Sequence, residues 1–245
     1  MPGFVLPAVI GHRGAAAYAP ENTLEGIREA ARRGVRWVEF DAKLTADGVV
    51  VLMHDDTLDR TTDGRGPVAR ANYADLSGLD AGAWFGAKWR GARIPTLAAV
   101  LALLVELDMG ANVEIKPCPA RDRETADAVV GVIRDGWPKA RPWPLLSSFS
   151  RDSLAAARDR GPDMPRGLLV WEDPPDWAAA AQRLGCVTVH WSEEHLTPGR
   201  AAEIRRSGYG LAAYTVNDQQ RADGLRAWGV QCLFSDRPDA ILPAI

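Results

Sequence analysis

Lysine is almost missing from this sequence: Lys43, Lys88, Lys116 and Lys139 are the only four among 245 residues. Positive charge that merely needs solvent is carried by arginine, so a lysine set in an apolar strand asks for a specific reason. Cysteine is as sparse. Cys118, Cys186 and Cys232 are scattered and form no CxxC pair, which argues against a disulfide framework and for a reducing compartment. Long apolar runs are lacking too. The longest, Leu97 to Val105, falls well short of the ~18 residues of a membrane span. The N-terminal MPGFVLPAVIGHRG shows neither a basic n-region nor an apolar stretch before a cleavage site. Secretion and stable membrane insertion are therefore disfavoured, and a cytoplasmic location is expected. Charge of one sign is absent: 29 basic against 32 acidic side chains leave a net charge of −3. No basic footprint for nucleic acid and no polybasic membrane anchor can be read from it. No internal repeat or low-complexity segment appears.

What is present is an alternation of short apolar runs with segments of helical periodicity. Strands are predicted at Val9–His12, Val35–Leu44, Val49–His54, Ala111–Lys116, Pro144–Phe149, Gly167–Trp171, Cys186–Trp191, Tyr209–Thr215 and Gln231–Phe234. Helical spacing between most of them implies parallel strands. Asn22-Thr23-Leu24-Glu25 reads as the start of the first helix, with Asn22 as N-cap and Glu25 closing a capping box. Ser150 is placed to cap a helix from Arg151.

Nine strands are one too many for a (β/α)₈ barrel. Only Thr45–Gly48 separates the second predicted strand from the third, and a parallel crossover needs about a dozen residues. These two must form an antiparallel hairpin, with Asp47-Gly48 as a two-residue turn. Setting its return arm aside leaves eight wall strands, so the expected fold is one TIM (β/α)₈ barrel domain over 1–245. Centring the turn on Asp47-Gly48 places Asp41 directly opposite His54 and on the same face. Residues 57 to 95 are too long for an ordinary loop and are expected to form a small insertion at the barrel mouth, with Trp84, Phe85 and Trp89 in its own core.

Positions i and i+2 of a strand share a face. Glu39 and Asp41 therefore point together, as do Glu114 and Lys116, while His12 and Arg13 end the first strand. Strand ends meet at the carboxyl face of a barrel, where active sites are built. Three carboxylates crowded there repel one another. A divalent cation relieves that repulsion, and all-oxygen ligation suits Mg²⁺ or Ca²⁺. Arg13 and Lys116 beside it suit a phosphate oxyanion. Two imidazoles, His12 and His54, match the two proton transfers of phosphodiester hydrolysis.

Gly11-His12-Arg13-Gly14, Pro20-Glu21-Asn22-Thr23, Glu39-x-Asp41, His54-Asp55, Glu114-Ile115-Lys116, Tyr214-Thr215-Val216-Asn217 and Asp236-Arg237-Pro238-Asp239 resemble the ordered motifs of the glycerophosphodiester phosphodiesterases, over essentially the whole chain and in the size of the cytosolic bacterial type. The resemblance implies hydrolysis of small glycerophosphodiesters such as glycerophosphocholine or glycerophosphoethanolamine to sn-glycerol 3-phosphate and an alcohol. It implies His12 and His54 as the acid–base pair, Glu39, Asp41 and Glu114 as ligands of one divalent cation, and Arg13 and Lys116 as phosphate contacts. Tyr214 stands where the family commonly has Trp, and either ring can pack on the substrate. Two other readings remain: a phospholipase C- or D-like enzyme acting on intact or lyso lipids, expected to show an apolar or basic rim, and a non-catalytic glycerophosphodiester-binding protein, expected to show a broken cluster. His190 and His195 are read as structural, and Asn22, Asn217 and Asp236 as helix caps.

Overall fold

A computed structural model describes residues 4–242. Among them the wall strands are β1 (Val9–Gly11), β2 (Trp37–Leu44), β4 (Gly110–Ile115), β5 (Leu145–Ser148), β6 (Arg166–Val170), β7 (Thr188–Ser192), β8 (Gly210–Tyr214) and β9 (Cys232–Ser235), with β3 (Val50–Leu52) as the extra arm. They hydrogen-bond in the order β1-β9-β8-β7-β6-β5-β4-β2-β3, and pairing of β1 with β2 at Gly11 and Val38 closes the ring. Every wall pairing is parallel, while β3 runs antiparallel on β2. The protein is a TIM barrel with a hairpin on its second strand.

Strand alternation divides the side chains. Val38, Phe40, Ala42 and Leu44 of β2, with Val113 and Ile115 of β4, pack outward against the helices. Glu39, Asp41 and Glu114 take the opposite face and are buried all the same. Register sets Asp41 beside Glu114 and Glu114 beside Ser147, with Glu39 beside Asn112 one layer below. On β1, β8 and β9, Ile10, Ala212, Cys232 and Phe234 fill the interior with apolar volume.

The hairpin differs from the expected one by a single residue. Observed partners are Ala42 with Leu52, Lys43 with Val51 and Leu44 with Val50. The turn therefore holds three residues, not two. The Gly48 N–H donates to the Thr45 carbonyl, the Thr45 N–H to Val49, and Gly48 sits at φ +82°. This is a type I turn closed by a left-handed glycine, the usual three-residue hairpin. Asp41 consequently pairs its backbone with Met53, whose N–H donates to the Asp41 carbonyl, and does not lie opposite His54.

The first helix, α1 (Leu24–Arg32), is capped by Thr23, whose hydroxyl accepts from the Gly26 N–H at 3.1 Å; Asn22 is not the cap. Ser150 caps α5 (Arg151–Arg160) as expected. Gly14 is required where α1 meets the β1 loop: it lies at φ +92°, and an added Cβ would stand 2.6 Å from the Gly26 backbone.

Residues 57–95 rest on the outer arm of the hairpin. Val50 and Leu52 of β3 face the main core, while Val51 and Met53 face the insertion, where Leu58, Val68, Leu76 and Ile94 cover them. The aromatics do not form this core, contrary to expectation. Trp84 is 41 % exposed, and Phe85 and Trp89 are half-buried. The reason is local. The Asp80 carboxylate accepts the N–H groups of Gly82, Ala83 and Gly91, curling 82–91 into a tight surface loop. Its rings are left at the surface, with Trp84 edge-on to Phe85.

Candidate active site

The carboxyl ends of β1, β2 and β4 bring six of the sequence-predicted residues together. Glu39, Asp41 and Glu114 each offer an oxygen such that all three lie within 4.8 Å of one another. Lys116 Nζ stands 3.1 Å from Glu114 Oε1 and 3.2 Å from Asp41 Oδ1. Arg13 Nε lies 3.3 Å from Asp41 Oδ2. His12 Nε2 lies 3.8 Å from Glu39 Oε2.

Arg13 and Asn22 owe their placement to left-handed backbone, at φ +49° and +56°. That conformation costs a non-glycine residue roughly 1–2 kcal/mol. At Arg13 it aims the N–H at Glu39 Oε2, 3.0 Å away. At Asn22 it turns the side chain onto Asp41: Nδ2 donates to Asp41 Oδ2 at 2.8 Å, while Oδ1 accepts the Asp41 N–H at 3.1 Å. Asn22 therefore belongs to the cluster and not to a helix end.

Asp236 and Asn217, likewise expected as caps, are found elsewhere. His12 Nδ1 donates to Asp236 Oδ1 at 2.7 Å, and Asn217 Nδ2 donates to Asp236 Oδ2 at 2.8 Å; Asp218 caps α8 (Gln219–Ala227) instead. His54 has the same arrangement, donating Nδ1 to Asp55 Oδ1 at 2.7 Å. Each imidazole thus has a carboxylate behind it and Nε2 in front. His54 comes from the loop after β3, close enough to Asp41 for its titration to feel that charge. Helix-cap chemistry and hydrogen bonding to a side chain use the same residue types, which is why spacing could not separate them. In the sequence, only their place in His54-Asp55 and Asp236-Arg237-Pro238-Asp239 marks these two carboxylates.

The charges perturb one another. Burial and the neighbouring Asp41 push Glu39 up to about 8. Burial and the same Asp41 charge raise Glu114. Asp41 is held well below the usual range, because Lys116, Arg13 and His54 outweigh its burial. Burial pushes His54 down, aided by Arg13 and Lys116. His12 moves the other way: burial opposes protonation, but Asp236 and Glu39 outweigh it. Two carboxylates destabilised as anions beside a third are the electrostatic signature of a site short of positive charge. Glu39 Oε1 is buried with no hydrogen-bond partner, an orphan acceptor that a cation would satisfy. Three carboxylates and no softer donor fit a hard divalent ion.

Tyr214 lies across the barrel mouth, its hydroxyl donating to the Val170 carbonyl at 2.7 Å and its ring edge-on to Phe149. Together with His12, Glu39, Glu114, Ser147 and Phe149 it lines a cleft of about 280 Å³, open to solvent. Half the mouth is therefore charged and half aromatic. Phe149 and Trp171 are 43 % and 51 % exposed there. His190 is wholly buried at the barrel interior against Thr188 and Phe234, and His195 packs on Trp171.

The family profile of the glycerophosphoryl diester phosphodiesterases matches residues 12–240. The chain belongs to this family. It is a phosphoric diester hydrolase, and its relatives share both sequence and barrel. A glycerophosphodiester phosphodiesterase of Caldanaerobacter subterraneus subsp. tengcongensis is 30% identical over 234 residues, 96% of each chain. An Oleispira antarctica phosphodiesterase, solved in complex with the product sn-glycerol-3-phosphate, is 38% identical with a TM-score of 0.93, over 96% of this chain and 95% of that one. A glycerophosphodiester phosphodiesterase of Agrobacterium tumefaciens is 27% identical with a TM-score of 0.78, over 96% and 99%. Among the described residues of this phosphodiesterase no helix is long and apolar enough to cross a membrane.

Proposed function

We propose that the enzyme hydrolyses small glycerophosphodiesters, such as glycerophosphocholine and glycerophosphoethanolamine, to sn-glycerol 3-phosphate and the free alcohol. The observation that carries this reading is the buried triad of Glu39, Asp41 and Glu114 lying beside Arg13, Lys116 and two carboxylate-backed imidazoles at one barrel face. The triad would hold one Mg²⁺ or Ca²⁺, which supplies Lewis-acid stabilisation of charge on a phosphoryl oxygen.

The chain's own groups do the rest. Arg13 and Lys116 bind the remaining phosphoryl oxygens, and their charge is worth most as negative charge grows toward the transition state. Asp236 fixes the Nδ1–H of His12 and so leaves Nε2 free for a proton. In our assignment His12 deprotonates the nucleophile and His54 protonates the departing alcohol oxygen; the nucleophile is water, giving sn-glycerol 3-phosphate directly, or the substrate's glycerol 2-hydroxyl, giving a cyclic phosphate that water then opens to the same product. Tyr214 and Phe149 pack on the organic part of the substrate and limit water around it. The catalytic unit is the barrel with its insertion at about 57–95. Three buried, unpaired cysteines, Cys118, Cys186 and Cys232, support a reducing, cytoplasmic setting.

Replacing His12 or His54 with Ala should cut kcat on glycerophosphocholine by about 10²-fold or more, as expected for loss of a general acid or base, with little change in KM. Full turnover by either variant would end the assignment. A second reading, cleavage of lysophospholipids, has one observation in its favour: the exposed Phe149 and Trp171 at the rim. Turnover of lysophosphatidylcholine micelles faster than glycerophosphocholine would select it.

A further inference from the structure

Arg60 takes no part in the chemistry assigned above. It is supplied by the insertion, and its side chain is 44 % exposed, where an ordinary ion pair contributes little. Its geometry is not ordinary. Nε donates to Asp55 Oδ2 at 2.7 Å and Nη2 to Asp55 Oδ1 at 3.0 Å. On its other edge Nη1 donates to Glu21 Oε2 at 2.8 Å and Nη2 to Glu21 Oε1 at 2.7 Å. One planar guanidinium thus holds two carboxylates, each in a two-bond fork.

Both carboxylates have a second partner in the site. Asp55 Oδ1 receives His54 Nδ1 at 2.7 Å. Glu21 Oε1 receives Arg13 Nη1 at 2.8 Å, and Arg13 in turn stands against Asp41. The chain of contacts runs His54, Asp55, Arg60, Glu21, Arg13, Asp41. His54 needs such help more than His12 does. It lies beyond the end of β3, in a loop, and its backing carboxylate is its own chain neighbour, which no strand pairing holds in place. Asp236, behind His12, is instead gripped by Asn217 through both its side chain and its backbone N–H.

We infer that Arg60 is a positioning residue: it holds Asp55 against Nδ1 of His54 and Glu21 against Arg13, and so makes the insertion part of the catalytic apparatus. The inference rests on the functional reading of His54 and Arg13 given above. It yields a split. Through Asp55 and His54, Arg60 governs proton transfer and therefore kcat. Through Glu21 and Arg13 it governs the grip on phosphate and therefore KM.

The test uses the full chain with Mg²⁺ and glycerophosphocholine, and the variants Arg60→Ala, Arg60→Lys, Asp55→Asn and Glu21→Gln with the corresponding doubles. Arg60→Ala should lower kcat about tenfold or more, in the range seen when a group orienting a catalytic ligand is removed, and raise KM several-fold. Placed on Asp55→Asn, it should lower kcat no further. Placed on Glu21→Gln, it should raise KM no further. Arg60→Lys should recover part of both losses, which separates positioning from failure to fold. Arg65→Ala, also in the insertion but ion-paired with Asp59 outside this chain of contacts, should match the wild type. Independently of turnover, the Nδ1–H proton of His54 should be visible by NMR in the wild type and lost to exchange in Arg60→Ala. Unchanged kinetics, losses that add across the double variants, or a His54 Nδ1–H that survives in Arg60→Ala would overturn the inference. A wild type that loses this proton on substitution but cleaves no glycerophosphodiester would instead overturn the functional reading alone.

Discussion

The two imidazoles are pushed in opposite directions by their surroundings. His12 is raised because Asp236 and Glu39 outweigh burial, and His54 is lowered chiefly by burial. A proton-accepting His12 must be neutral at working pH, so its raised value calls for an opposing charge. A divalent ion held by Glu39, Asp41 and Glu114, as proposed, would provide one: it would offset the Glu39 carboxylate 3.8 Å from His12 Nε2. The expected outcome is a His12 titration above 6.5 in metal-free protein that moves down on addition of Mg²⁺. Histidine side-chain NMR across pH measures this directly. A His12 value that ignores Mg²⁺ would place the cation elsewhere. Asp41 shows the converse logic. Lys116, Arg13 and Asn22 already converge on it, so it stays ionised with or without a cation.

At the scale of elements the hairpin and the first loop carry the geometry. Gly48 and Gly14 both have positive φ, but an added Cβ meets nothing at Gly48 and the Gly26 backbone at Gly14. Gly48→Ala should therefore cost only the left-handed conformation, about 1 kcal/mol. Gly14→Ala should cost several times more, because α1 must move. Urea midpoints of the two variants check the order, and equal losses would contradict it. The same elements show what the sequence could tell. The eight wall strands, the extra arm and the convergence of Glu39, Asp41 and Glu114 all follow from spacing, since strand periodicity and crossover length are rigid rules. The hairpin register does not follow. Ala46-Asp47-Gly48 can close either a two- or a three-residue turn, and only the left-handed Gly48 after a type I turn selects the latter. The roles of Asn22, Asn217 and Asp236 are hidden for a related reason: short polar residues before a helix satisfy the chain just as well by capping it. The exposed Trp84 depends on how Asp80 curls its loop, a tertiary matter that composition does not carry.

Over the whole molecule, near-neutral charge conceals a strong local contrast. A net charge of −3 is compatible with a site in which three buried carboxylates face two cations. The barrel also buries a histidine outside the proposed acid–base pair. His190 is fully buried, its Nδ1 has no partner, and burial pushes its pKa down to about 3. The folded state thus refuses a proton that the unfolded chain accepts below about 6.5. This stability is complete above that pH and is lost as pH falls toward 3, by about 1.4 kcal/mol per unit. Between pH 7.5 and 5 the wild type should lose roughly 2 kcal/mol more than His190→Gln, as read from urea unfolding at the two pH values. Equal losses would mean that the imidazole is hydrated or paired.

If this barrel face is a cation-dependent phosphodiesterase centre, turnover must follow the ion. The most direct measurement is release of glycerol 3-phosphate from glycerophosphocholine by protein freed of metal with EDTA, then supplied with Mg²⁺ or Ca²⁺. Release should stop after EDTA and return with the added ion, and should occur under neither condition in Glu39→Gln or Glu114→Gln. Release that persists in EDTA, or that survives loss of the triad, would contradict a cation-dependent centre.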